Sequence, residues 1–135
     1  MRIVLDTNVL VAGLLSPFYA PGEIVRMTSA GILQLCYDAR IFSEYKNVLY
    51  RPKFNLNTVY VDALLDQIKA KGHLVTGQPL KKSLPDAADE PFLEVAIAGK
   101  AACLVTGNLK HYPVAYCQGI RILSPRDFLA FYRKH

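Results

Sequence analysis

Cysteine is scarce: Cys36, Cys103 and Cys117 are the only three in 135 residues, and none shares a CxxC spacing with another. An odd count without metal-ligand spacing argues against a disulfide framework or a zinc site and points to free thiols in a reducing compartment. Long hydrophobic runs are missing too, since no apolar stretch approaches the roughly 20 residues of a membrane span. Near the start, Asp6 follows only Ile3-Val4-Leu5, too early for the apolar core of a secretory signal. A cytoplasmic protein without membrane association is expected. No repeat, low-complexity tract or long linker divides the sequence, so residues 1–135 read as a single domain. Neither GxGxxG nor GxxxxGK[ST] occurs, which leaves nucleotide binding through a glycine-rich loop without support.

What is present is an ordinary globular balance, 52% hydrophobic and 20% charged residues, enough for one real core. Lys plus Arg number 16 against 11 Asp plus Glu, a net charge of +5. That excess suits a polyanionic partner and equally suits mere solubility. The basic residues are scattered, with Arg51/Lys53, Lys81/Lys82 and Arg133/Lys134 as the close groups and no arginine-rich tail.

Strand-like apolar runs alternate with helical patterns. Ile3–Leu5 reads as a buried strand, followed by a helix through Val9–Leu15 that stops before Ser16-Pro17. A second helix opens at Pro21-Gly22-Glu23, turns Ile24, Val25 and Thr28 inward, and ends at Gly31. Leu33–Cys36 is the next strand. Asp38 caps a helix carrying Ile41, Phe42, Tyr45, Val48 and Leu49 at the 3.6 period, stopped by Pro52. A helix over 58–71 ends at Gly72, and His73–Val75 is a weaker strand. A helix from about Asp86 to Ala98, strands at Ala102–Val105 and Ile120–Leu123, and a terminal helix opened by Ser124-Pro125 complete the pattern. Single helices between strands imply crossovers, and hence a mainly parallel sheet covered on both faces. Ligands of such sheets bind beyond the C-terminal strand ends. Asp6, Asp38 and Thr106-Gly107-Asn108 all fall there.

Asp6, in Asp6-Thr7-Asn8, reads by itself first as a helix N-cap. Glu44 lies at the rim of an apolar helix face, where a solvated residue paired with Lys46 or Arg40 is the plainer reading. In Pro85-Asp86-Ala87-Ala88-Asp89, Asp86 suits the N-cap. Asp89 differs, because it shares the inward stripe with Leu93 and Ala96, and a buried carboxylate needs a partner such as a metal ion. Glu90, Glu94, Asp62 and Asp66 read as solvated helix faces, and Asp127 as part of a capping box with Ser124. Carboxylates converging from separate elements would require opposite charge, and hard oxygen ligands favour Mg²⁺ or Mn²⁺ over zinc. Such an ion activates water and neutralises charge developing on a phosphoryl group.

Five segments carry a family resemblance along almost the whole chain. They are Leu5-Asp6-Thr7-Asn8-Val9-Leu10, Ser43-Glu44-Tyr45 before Val48-Leu49, Arg51-Pro52-Lys53-Phe54, Asp89-Glu90-Pro91-Phe92-Leu93, and Leu104-Val105-Thr106-Gly107-Asn108. In this order and spacing the chain resembles the PIN-domain family, in particular its VapC-like toxin branch. The resemblance implies a three-layer α/β/α sandwich and a Mg²⁺- or Mn²⁺-dependent ribonuclease. It matches Asp6, Glu44 and Asp89 to the acids of the site, and Thr7, Asn8 and Thr106 to supporting polar positions. It also implies an RNA substrate, a small antitoxin partner and a homodimer. Many members carry an acid where Asn108 stands; an amide can still ligate through its carbonyl oxygen but brings no charge. A second metal would then bind more weakly, unless Asp86 compensates.

Two rival readings stay open. One is a weak or inactive PIN-fold protein that binds RNA or regulates; the other is an interaction module whose acids are only caps. Phosphatases with a nucleophilic aspartate after the first strand need a second Asp two residues on, where Asn8 stands. A phospho-receiver domain expects an acidic pair near the first strand, and only Asp6 is there. Lys110 and His111 read as a surface loop. Arg51 and Lys53, near the end of the Glu44 helix, could steer RNA or pair with the helix terminus.

Overall fold

The computed structural model describes residues 1–135. Five strands alternate with six helices: β1 (Arg2–Leu5), α1 (Thr7–Leu15), α2 (Ala20–Ser29), β2 (Gln34–Tyr37), α3 (Ala39–Leu49), α4 (Thr58–Lys71), β3 (His73–Leu74), α5 (Glu90–Ala98), β4 (Leu104–Val105), β5 (Ile122–Leu123) and α6 (Pro125–Arg133). All strand pairs are parallel, in the order β3-β2-β1-β4-β5. The mainly parallel sheet expected from the sequence is therefore entirely parallel, within an α/β sandwich.

β1 lies at the centre because its side chains suit no other place. Ile3, Val4 and Leu5 point alternately to opposite faces, and all three are 0% exposed, so packed layers cover both sides. On the helical side, α2 packs against α1, α4 and α6, while α5 lies over β1 and β2 and touches α3. The crossing of α1 and α2 is close at Gly13, where a Cβ would stand 2.5 Å from Val25 Cγ2.

From β1 the chain proceeds outward through β2 to β3, then crosses back to place β4 on the other side of β1. The crevice between β1 and β4 is thus the point where the winding reverses, the usual location of a binding site in an open parallel sheet. Register then fixes what meets there. Leu5 pairs with Val105 and Val105 with Leu123. One residue further along, Asp6 and Thr106 emerge side by side.

Several boundaries differ from the sequence expectation. β2 begins and ends one residue later than Leu33–Cys36, and β4 and β5 are each two residues long. The helix expected from Asp86 starts with a 3-10 turn, Ala87–Asp89, and becomes α-helical only at Glu90. Pro91 explains this: it has no N–H to donate back to residue 87, so an α-helix can begin around it but not run through it.

Candidate active site

Asp6 ends β1 and precedes α1 with extended backbone (φ −64°, ψ 146°), yet its side chain caps nothing. Instead its Oδ2 accepts from Thr106 Oγ1 at 2.9 Å and from the Tyr112 hydroxyl at 3.1 Å. The carboxylate is only 6% exposed. A cap would leave it on the helix axis; here it is turned across the crevice towards β4.

Glu44 sits on the third helix, half-buried, and accepts from the Thr7 hydroxyl. Thr7 follows Asp6 directly, so this bond brings Glu44 to the end of β1. The alternative partners fail: Arg40 engages Asp38 and Glu94, at 2.7 and 3.0 Å. Asp89, 8% exposed, stands at the head of α5. Its Oδ2 lies 3.1 Å from His111 Nδ1, but the imidazole is not aligned to donate, and that buried oxygen has no hydrogen-bond partner. Such an orphan is costly unless something else occupies it.

The charges confirm the proximity. Burial is the main cause that raises the Asp6 carboxyl above its ordinary value, with the bonds from Thr106 and Tyr112 opposing it. Burial also raises Asp89, and the negative charge of Asp6 adds to the effect. The buried Tyr112 hydroxyl is pushed far up, first by burial and then by Asp6, Asp89 and Glu44 together. One phenol therefore feels all three acids.

The supporting residues hold the loop after β4. Asn8 Oδ1 accepts from Gly107 N at 3.0 Å, and Thr106 Oγ1 accepts from Asn108 N at 3.0 Å. Asn108 is exposed, and its side chain is bound to no neighbour. Asp86 is a cap as expected: its side chain accepts from Ala88 N, and it is exposed. It does not join the crevice acids. Asp38 also caps as expected, accepting from Ile41 N at 3.0 Å.

One expectation is overturned. Glu94 is not solvated: it is 9% exposed and bound through Arg40 to Asp38. Glu90 is half-buried and accepts from Leu84 N at 2.9 Å, which pins the loop before the 3-10 turn. Sequence reasoning also passed over Tyr112 and Tyr45, two fully buried tyrosines read as core. Tyr45 donates to the Leu5 carbonyl at 2.5 Å and so anchors the helix of Glu44 to the end of β1. The clue was available, because a buried Tyr hydroxyl requires an acceptor. His111, read as a surface residue, is 45% exposed but beside Asp89.

The donors suit a hard divalent cation: three carboxylates, two of them desolvated, and one buried oxygen without a partner. No three His, Cys, Asp or Glu side chains are drawn tightly enough to enclose an ion unaided. Water would complete the shell, as is usual for Mg²⁺.

No curated protein matches the chain. A family model described as a PIN domain matches residues 2–110, well over half of it. The match spans Asp6, Glu44, Asp89 and Asn108 and stops just before His111 and Tyr112. The chain belongs to the PIN-domain family.

Proposed function

We propose, from membership of a family whose domains are generally nucleases acting on RNA, that this protein is an endoribonuclease of the VapC-like branch, the toxin of a type II toxin–antitoxin pair. The observation that carries this reading is the gathering of Asp6, Glu44 and Asp89 around Tyr112 at the winding reversal, with one buried Asp89 oxygen unmatched. These three residues would hold Mg²⁺ or Mn²⁺, with the Asn108 carbonyl as an uncharged addition. The ion, when bound, supplies an activated water and offsets negative charge on the phosphate.

The chain's own groups do the rest. Thr106 and Tyr112 fix one oxygen of Asp6, Thr7 fixes Glu44, and Tyr45 ties the Glu44 helix to β1. Desolvation of Asp6 and Asp89 makes both carboxylates poor as free anions and good as ligands. The reaction itself adds water to phosphorus and breaks one P–O bond, and the departing oxygen takes up a proton. Exposed Phe18, Tyr19, Val59 and Tyr60 offer apolar surface for an antitoxin or a second copy of the chain. Three buried free thiols accord with a cytoplasmic setting.

The test is incubation of the purified chain with a mixed-sequence RNA under Mg²⁺, Mn²⁺ or EDTA, beside Asp6→Ala. Cleavage that needs metal and disappears in the variant supports the reading. Absence of cleavage by a folded protein favours the weak or inactive alternative, for which the uncharged Asn108 is the specific argument; Asn108→Asp then separates the two.

A further inference from the structure

The position after Thr106-Gly107 carries no charge, because Asn108 stands there. Three residues on, His111 closes the 3-10 turn Leu109–His111. Its Nδ1 is 3.1 Å from Asp89 Oδ2, yet that oxygen has no aligned donor although it is buried. In a planar imidazole, the N–H of one tautomer and the lone pair of the other leave the nitrogen in the same direction. An Nδ1 that does not aim a hydrogen at Oδ2 therefore aims its lone pair past it too. Two donors in contact but looking past one another match adjacent ligands of an octahedral ion. With ligand distances of about 2.1 Å such ligands stand roughly 3 Å apart.

We propose that His111 binds the site's divalent ion directly through Nδ1, beside Asp89, in place of the ligand missing at Asn108. This rests on the reading of the acidic crevice as a metal site. A neutral imidazole adds a strong donor without a further negative charge next to Asp6 and Asp89. It also changes the choice of ion, because nitrogen ligands favour first-row transition ions over Mg²⁺. The site therefore selects Mn²⁺ over Mg²⁺. A histidine that only steadied Asp89 by a hydrogen bond would be a positioning residue and would place no nitrogen on the ion.

The test is titration of the full chain with Mn²⁺, followed by electron paramagnetic resonance, with echo modulation reporting any coordinated ¹⁴N. The parent is expected to bind Mn²⁺ at least about tenfold more tightly than Mg²⁺ and to show one coupled nitrogen. His111→Gln, at a side chain 45% exposed and outside the core, is expected to lose the nitrogen signal and about tenfold in Mn²⁺ affinity, with Mg²⁺ binding little changed. Saturable Mn²⁺ binding without nitrogen coupling, or with coupling that survives His111→Gln, overturns the role of His111 and leaves the metal site standing. If the parent binds no Mn²⁺ at all, both readings fail together.

Discussion

Replacing Arg40 with methionine tests how the two acid-bearing helices are held in place. Arg40 reaches Asp38 at the end of β2 and Glu94 on α5, so one guanidinium joins the helix of Glu44 to the helix of Asp89. Both carboxylate side chains are only 11% exposed, while Arg40 itself is 48% exposed. Removing one partner of a fully buried pair costs about 3–5 kcal/mol, and an exposed pair is worth about 1 kcal/mol or less. With one side screened by water and the other not, Arg40→Met is expected to cost about 2 kcal/mol. For a domain of this size that corresponds to a fall in Tm of about 7 °C. Urea denaturation at pH 7 measures it, with Arg133→Met as the comparison. Arg133 is 65% exposed, 3.5 Å from a half-exposed Glu23, and its loss should cost less than about 0.5 kcal/mol. The double variant Arg40→Met, Glu94→Gln should lose less than the two single losses added together, because the glutamate no longer lacks its partner. An Arg40→Met protein as stable as the parent would show that the cluster is solvated and holds neither helix.

In EDTA at neutral pH, Asp6→Asn is expected to melt above the parent. The folded carboxyl is raised above its ordinary 3.8 by burial, so its stabilising contribution is complete below that value and is lost as pH rises through the raised one. Melts between pH 3.5 and 7.5 should show the advantage of the variant vanishing at the acid end; an offset constant with pH would count against the desolvation argument. Gly22→Ala places a Cβ 2.1 Å from the Pro17 carbonyl oxygen and should cost about 2 kcal/mol or more by chemical denaturation. Tyr112→Phe removes a donor to Asp6 and should cost about 1 kcal/mol; unchanged stability and unchanged Mn²⁺ affinity would deny it a part in the site.

Local signals made much of this legible. The α4 helix falls at Thr58–Lys71 as read, because Asn57 caps its start and Gly72 its end. Asp6 was found because an acid directly after a buried strand has few places to go. Asp89 was singled out because it shares a stripe with Leu93 and Ala96, both 0% exposed. Contacts distant in sequence were not legible. Glu94 shares a helix face with Glu90 at i, i+4 spacing, which suggests solvent, but its partner Arg40 comes from another helix. The hydroxyls of Tyr45 and Tyr112 meet acceptors 40 and 106 residues away in sequence, and periodicity reports only that the rings are buried. Parallel register, which sets Thr106 beside Asp6, has no local signature either.

The claim that matters most is that Asp6, Glu44 and Asp89 enclose one catalytic divalent ion. Anomalous diffraction from a crystal soaked in Mn²⁺ tests it directly. A single peak within ligand distance of Asp6 and Asp89, lost in crystals of Asp6→Asn, is the expected result. A peak elsewhere, or none at saturating Mn²⁺, would contradict it.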